Sequence, residues 1–259
     1  MKQLILIFVI FTTSLFAEEP GDILSYAVHP ASVEITCSNA EIRITAYAED
    51  IVRMVVNPNG IVFNPLPVPE LADSLSNFNF QIDDTPQALT ISSSEYHIVC
   101  QKAPFSFILQ NIAGDNLLAL ANNGLQWGTD FSEIKFAMQA NDHFYGFGEK
   151  GIDLDRRGHA FGMRNQAIYG YNGPLPEMNI NIPFFFSLQG YGMYYHMSYP
   201  GYFDMGEANP NSWLYRSGGE SWMQFFVFVD DDPKTLLQSY THLTGRTPLP
   251  PAWAMGFLQ

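Results

Sequence analysis

The feature that most constrains this chain is a succession of short apolar runs, each rich in β-branched or aromatic residues and closed by Gly, Pro, Asn or Asp. Runs of that kind read as strands. Residues 32–47 alternate, with Val33, Ile35, Cys37, Ile42 and Ile44 set between polar neighbours, and residues 51–56 continue as Ile-Val-Arg-Met-Val-Val. Further strand-like runs are 78–82, 88–91, 96–100, 105–110, 134–138, 183–188, 192–196, 213–216 and 223–229. They recur about every 8 to 15 residues without helical periodicity between them, which indicates a β-sandwich rather than βαβ units. The expected fold class is mainly β.

One helix is predicted near the end. Asp232 caps it, Pro233 suits its first turn, Leu236, Leu237, Tyr240 and Leu243 recur at helical spacing, and Gly245 closes it. Residues 247–251, Thr-Pro-Leu-Pro-Pro, form a stiff extended connector. Residues 252–258 are almost continuously apolar and predict a strand buried on both faces, as in a parallel sheet or barrel. Left unpaired, such a strand is an aggregation liability. The expectation is therefore that it opens a further domain; the alternative is a last strand tucked into the sandwich.

The chain has 259 residues, ample for a large core. Charged residues are 15% and aromatics also 15%, with 21 Phe, 13 Tyr and 4 Trp. Lys+Arg 12 against Asp+Glu 26 give a net charge of −14. That charge repels phosphate backbones and anionic lipid heads, so nucleic acid and membrane surfaces are excluded as partners. Few charges and many flat rings suit a neutral, hydroxyl-rich, ring-shaped partner such as a sugar; a large aromatic core explains them equally well.

At the N-terminus, Lys2, the apolar run 4–11 and Ala17 before Glu18-Glu19 read as a signal peptide cleaved after Ala17. The alternative is a membrane-tethering helix, but the run is short of the about 20 apolar residues of a span, and no second segment approaches that length. The expected localisation is exported, periplasmic or secreted, with no membrane partner after cleavage. That setting permits a bridge between Cys37 and Cys100, though two separately buried thiols fit as well.

No catalytic or metal constellation stands out. His29, His97, His143, His159, His196 and His242 are dispersed, none in His-Glu-x-x-His, and Gly146 and Gly148 lack the Lys-Ser/Thr of a phosphate loop. No cofactor is expected. An epimerase would need a histidine acid and a carboxylate base on one sheet face, with His159 and His196 as the conceivable histidines. Glu149, Asp155, Arg156 and Arg157 cluster in a stretch otherwise poor in charge and are expected to pin a loop rather than touch substrate.

Several strings together resemble the N-terminal region of glycoside hydrolase family 31, the α-glucosidase and α-xylosidase family. They are Phe-Tyr-Gly-Phe-Gly-Glu-Lys at 144–150, Leu-Asp-Arg-Arg-Gly at 154–158, Met-Arg-Asn at 163–165 and Tyr-Gly-Tyr-Asn at 169–172. Asn-Ile-Pro-Phe-Phe-Phe at 181–186, Phe-Asp-Met-Gly at 203–206 and Leu-Thr-Gly-Arg-Thr-Pro-Leu-Pro-Pro-Ala-Trp-Ala-Met-Gly-Phe at 243–257 complete the set. Their order and spacing carry the resemblance over residues 140 to 259.

The resemblance implies a galactose-mutarotase-like β-sandwich followed by the start of a (β/α)8 barrel. It divides the chain into signal peptide 1–17, sandwich 18–230, helix and connector 231–251, and the opening of a truncated barrel at 252–259. A retaining glycosidase uses two carboxyl groups. Family members carry them after later barrel strands, so no catalytic residue is assigned here and the chain alone is expected to be inactive. Asp204 and Glu207 echo the nucleophile motif, but their setting matches a strand end of the family's sandwich. One sandwich loop helps shape the family's sugar pocket, and the matching stretch is 163–172. There the resemblance implies Asn165, Tyr169 and Tyr171 as substrate-binding candidates, with Ala167 where many relatives have an Asp able to bond a sugar hydroxyl. Exposed Tyr offers a pyranose an apolar face and a hydroxyl, although both rings could instead pack the loop onto the sandwich. The expected partners are an α-linked oligosaccharide or other sugar, and the missing catalytic barrel. The rival readings are a stand-alone carbohydrate-binding module and an aldose epimerase on the same fold.

Overall fold

Alternating strands leave one apolar face apiece, and a second sheet is the simplest cover for it. A computed structural model describes residues 17–61, 78–170 and 172–256. In chain order its strands are β1 (Ile23–His29), β2 (Ser32–Cys37), β3 (Ala40–Ala46), β4 (Ile51–Pro58), β5 (Gln81–Asp84), β6 (Ala88–Ser92), β7 (Tyr96–Lys102) and β8 (Phe105–Asn111). Then come β9 (Asn116–Trp127), β10 (Phe131–Ala137), β11 (Phe144–Gly148), β12 (Ala160–Gly162), β13 (Asn181–Ser187), β14 (Tyr191–Tyr195), β15 (Gly201–Asp204), β16 (Ser212–Gly218) and β17 (Met223–Val229).

They pair antiparallel into two sheets. One has the order β1-β2-β3-β4-β17-β14-β13-β11 and the other β12-β15-β16-β10-β9-β8-β7-β6-β5. The fold is the mainly β sandwich the alternation predicts. Because β11 and β12 are edge strands of different sheets, the chain crosses from one sheet to the other at this edge of the sandwich.

The inner faces meet in one core built largely of rings. Phe147 stacks on Phe185 at 4.8 Å and meets Phe161 and Phe203 edge-on, each at 4.9 Å. Trp213 meets Phe185 at 5.3 Å and Phe136 at 4.6 Å. All six are buried. Burying such a side chain contributes roughly 1.5–3 kcal/mol before entropy is counted, so much of the aromatic excess serves the core.

The predicted helix forms as α1 (Pro233–Thr244): the Asp232 carboxylate accepts Lys234 N–H at 2.9 Å and Gly245 ends it at φ 93°. It lies on the outer face of the first sheet, over β13, β14 and β17. Tyr240 stacks on Phe184 at 4.0 Å, and Leu236 and Leu243 join Ile51, Phe226 and Phe228 in a second small core. This explains why Met223–Val229 is buried on both faces.

Four expectations need correction or bounding. The strand expected at 78–82 forms later, at Gln81–Asp84. Of the strand expected at 252–258 the described residues form none: Ala252–Met255 is a single 3-10 turn closed by Ala254 N–H to Pro251 O, with Trp253 and Met255 exposed, and residues 257 and 258 lie outside the described residues. A strand needs a ladder partner, and none of the described strands pairs there. Of the two readings left open for Cys37 and Cys100, two separately buried thiols is the one the structure has: both are free in the main core, and burial pushes both up to about 12. The expected signal peptide lies almost wholly outside the described residues, and among those described no helix is long and apolar enough to cross a membrane.

Candidate functional site

The Gly-Phe-Gly string of β11 builds the foundation of the site. Between Gly146 and Gly148 the register against β13 shifts, and Phe147 takes φ 68°, which turns its ring into the core. A Cβ on Gly146 would lie 2.7 Å from Phe184 O, and one on Gly148 2.5 Å from Ile180 O, so only glycine lets the two backbones approach this closely. The bulge aims the chain so that Glu149 N–H donates to Ile180 O at 2.7 Å and Lys150 reaches Gly162 at the end of β12 and Asn181 at the start of β13.

The charged cluster that follows is held locally, as its composition suggested. Asp155 accepts Phe144 N–H and Arg157 N–H on one oxygen, both at 3.1 Å, and contacts His143 Nδ1 with the other at 2.5 Å. Arg157 donates to the carbonyls of Gln139, Ala140 and Asp142. Arg156 donates to those of Ile152 and Asp153. Among the described residues Glu149 contributes through its backbone N–H alone.

Residues 163–170 leave β12 as an irregular loop. At its base Asn165 Oδ1 accepts Asn181 N–H at 2.7 Å, and further out Asn179 Oδ1 accepts Ile168 N–H at 2.9 Å. Of the three candidates, Asn165 thus uses its carbonyl oxygen to hold the loop, leaving its Nδ2 as the group able to donate to a ligand. Tyr169 is 90% exposed, so its ring does not pack the loop onto the sandwich. Tyr171 lies outside the described residues. A cleft of about 310 Å3 opens beside the loop base, lined by Arg164, Asn165, Asn181, Met197 and Tyr199 among others. Tyr199 donates its hydroxyl to Glu220 at 2.9 Å, while the Arg164 guanidinium has no ion-pair partner among the described residues.

Sequence reasoning gave no role to Lys150, Asn181 or Glu177, which organise the loop stems. The Gly-Phe-Gly-Glu-Lys string was the available signal for the first. Elsewhere, Asp204 is buried and caps a turn, accepting Gly206 N–H at 3.0 Å and Glu207 N–H at 2.8 Å. Its oxygens are occupied as those of a structural carboxylate are. His196 is buried against Gln224, which donates to its carbonyl at 2.8 Å and faces its Nδ1 at 3.1 Å; His159 approaches Asp153 at 3.7 Å. Among the described residues no carboxylate contacts His196, so the histidine–carboxylate pair of an epimerase does not form around it. No group of three metal-binding side chains occurs among the described residues.

Comparison with known proteins fits this architecture. Residues 41–204 match the profile of the glycosyl hydrolase 31 N-terminal galactose mutarotase-like domain. Alpha-glucosidase 2 of Bacillus thermoamyloliquefaciens is 32% identical over 233 residues, covering 86% of this chain and 29% of the relative. Alpha-xylosidase XylQ of Lactiplantibacillus pentosus is 33% identical over 127 residues, 49% of this chain and 16% of the relative. The solved structure of a Flavobacterium johnsoniae family 31 dextranase mutant complexed with isomaltotriose superposes with TM-score 0.86 at 24% identity, over 93% of this chain and 30% of that one. The chain thus spans less than a third of the length of these relatives. With the profile matched over more than half its length, the chain belongs to the galactose-mutarotase-like N-terminal domains of glycoside hydrolase family 31.

Proposed function

We propose that this chain is the supporting and sugar-contacting sandwich of an exported α-glycosidase, in which residues 163–170 wall one side of a sugar pocket. The observation that carries this reading is the exposed Tyr169 on a loop whose base is fixed by hydrogen bonds and lines a cleft with the free Nδ2 of Asn165 and the guanidinium of Arg164. A ring face with a hydroxyl stacks on a pyranose, and amide groups bond its hydroxyls. The dextranase of the same fold is complexed with isomaltotriose and glucose, which makes an α-linked glucan the first ligand to test. The two carboxyl groups of a retaining glycosidase belong, in this reading, to a barrel beyond these residues, and the chain alone does not hydrolyse. Export rests on the apolar run 4–11 and the small Ala17.

The test titrates the purified chain with isomaltotriose, maltotriose and xylose, following chemical shifts by NMR. Expected is weak binding, with Kd of the order of 1 mM (about −4 kcal/mol), lost in Tyr169→Ala without a change in melting temperature. No p-nitrophenol should appear from p-nitrophenyl α-glucoside. Binding that is indifferent to Tyr169 removes the assigned loop, and turnover that survives repurification removes the barrel assignment.

A further inference from the structure

We propose that Lys150 is the positioning residue of the pocket-wall loop, its ammonium closing the two stems of that loop into one frame. The chain leaves β12 of one sheet at Gly162, just before the loop, and enters β13 of the other sheet at Asn181. Lys150 Nζ donates to both, to Gly162 O at 3.1 Å and to Asn181 Oδ1, and sits 4.7 Å above the centre of the Phe161 ring. Asn181 passes the restraint on. Its Nδ2 donates to Arg164 O and Met178 O, both at 3.0 Å, and its N–H donates to Asn165 Oδ1. Met163 N–H to Gly201 O and Gly162 N–H to Glu177 hold the β12 side independently, but the bonds that tie Arg164 and Asn165 to the start of β13 all pass through Asn181, the residue of the cleft lining that Lys150 holds.

The charged groups facing Lys150 are Glu177, which also accepts Gly162 N–H at 3.0 Å, and Arg156. Burial outweighs Glu177, and Arg156 adds to it, so that Lys150 is lowered from 10.5 to about 8. The sign of the pH effect follows. When the stems part, Lys150 meets water and regains its ordinary affinity for a proton, so between pH 8 and 10.5 the parted form binds more protons. Raising the pH through that window favours the closed form. A neutral amine still donates to Gly162 O and Asn181 Oδ1, so closure is kept.

This assignment rests on the reading of residues 163–170 as a pocket wall, but hydrogen exchange tests it without any sugar. The reporters are the amides of Gly162, Ile168 and Asn181, each bonded to a side chain, against Phe225–Phe228 of β17 as a core reference. In the unmodified chain, protection of the reporters, corrected for intrinsic exchange, should rise several-fold and up to about tenfold between pH 8 and 9.5. Lys150→Met should lower it at least tenfold and abolish the rise, leaving β17 unchanged. Lys150→Arg, which keeps a charged donor that does not titrate, should restore protection at pH 7 without restoring the rise. Reporters that keep their protection in Lys150→Met, lose it in parallel with β17, or rise with pH in Lys150→Arg overturn the assignment. An unmodified chain that binds none of the three sugars yet shows the expected exchange pattern refutes the pocket-wall reading and leaves the Lys150 frame standing.

Discussion

Acidification should weaken this sandwich through one buried imidazole. His196 is 7% exposed and closes a relay across three strands: Arg53 of β4 donates to Gln224 Oε1 of β17, and Gln224 Nε2 faces His196 Nδ1, just after β14. Burial, with Arg53 adding to it, lowers the imidazole from 6.5 to about 4. Between those values the unfolded chain takes a proton that the folded chain refuses, so stability falls as pH drops through 6.5 and the full penalty is reached below 4. At about 1.4 kcal/mol per tenfold, the two limits differ by about 3 kcal/mol, of which about 2 kcal/mol has accumulated by pH 4.5. His196→Asn isolates this share, because its Oδ1 can stand in for Nδ1 as acceptor while nothing titrates. Urea unfolding at pH 7.0 and 4.5, followed by circular dichroism, should show the unmodified chain losing about 2 kcal/mol more than the variant. Carboxylates contribute equally to both proteins and cancel. Equal losses within about 0.5 kcal/mol would refute the argument that the ring is held neutral.

Three further outcomes follow from the packing. Leu236→Ala empties the second core under α1 and should cost about 2–4 kcal/mol, read as a lower urea midpoint at unchanged slope; a loss below about 1 kcal/mol would mean the helix is not docked. Gly148→Ala sets a Cβ 2.5 Å from Ile180 O at φ 76° and should cost about 2 kcal/mol or more, whereas a neutral result would deny the close approach of β11 and β13. Cys37 and Cys100, raised to about 12 by burial, should resist a disulfide-exchange reagent at pH 8 in the native chain and both react in urea; rapid native reaction of either contradicts the described core.

The alternation of residues 32–56 was legible because one buried face per strand imposes a period of two. The helix was legible from its cap and its apolar spacing. β9 was not. Its Asn122-Asn123-Gly124 string reads as a turn, yet the register against β10 shifts between Leu120 and Leu125, and a Cβ on Gly124 would lie 2.5 Å from both Ala121 O and Lys135 O. A bulge and a turn use the same residue types. β12 and β15, at three and four residues, are too short for periodicity to register. In the site, position came from the family strings but role did not. Asn165 reads as a substrate-binding candidate and serves first as the acceptor of Asn181 N–H, because the start of β13 passes within reach. Lys150 reads as one more surface charge until the bulge at Phe147 turns it inward.

The stack of Tyr240 on Phe184 has a mechanical consequence. One end of α1 is fixed by Asp232 and Pro233, just beyond β17, and the other by that ring pair, so the helix cannot swivel on the sheet without breaking a 4.0 Å contact. The heading of residues 245–251 is thereby set by two rings, and the prolines preserve it over their length. Removing one ring would loosen that bearing while leaving both sheets intact.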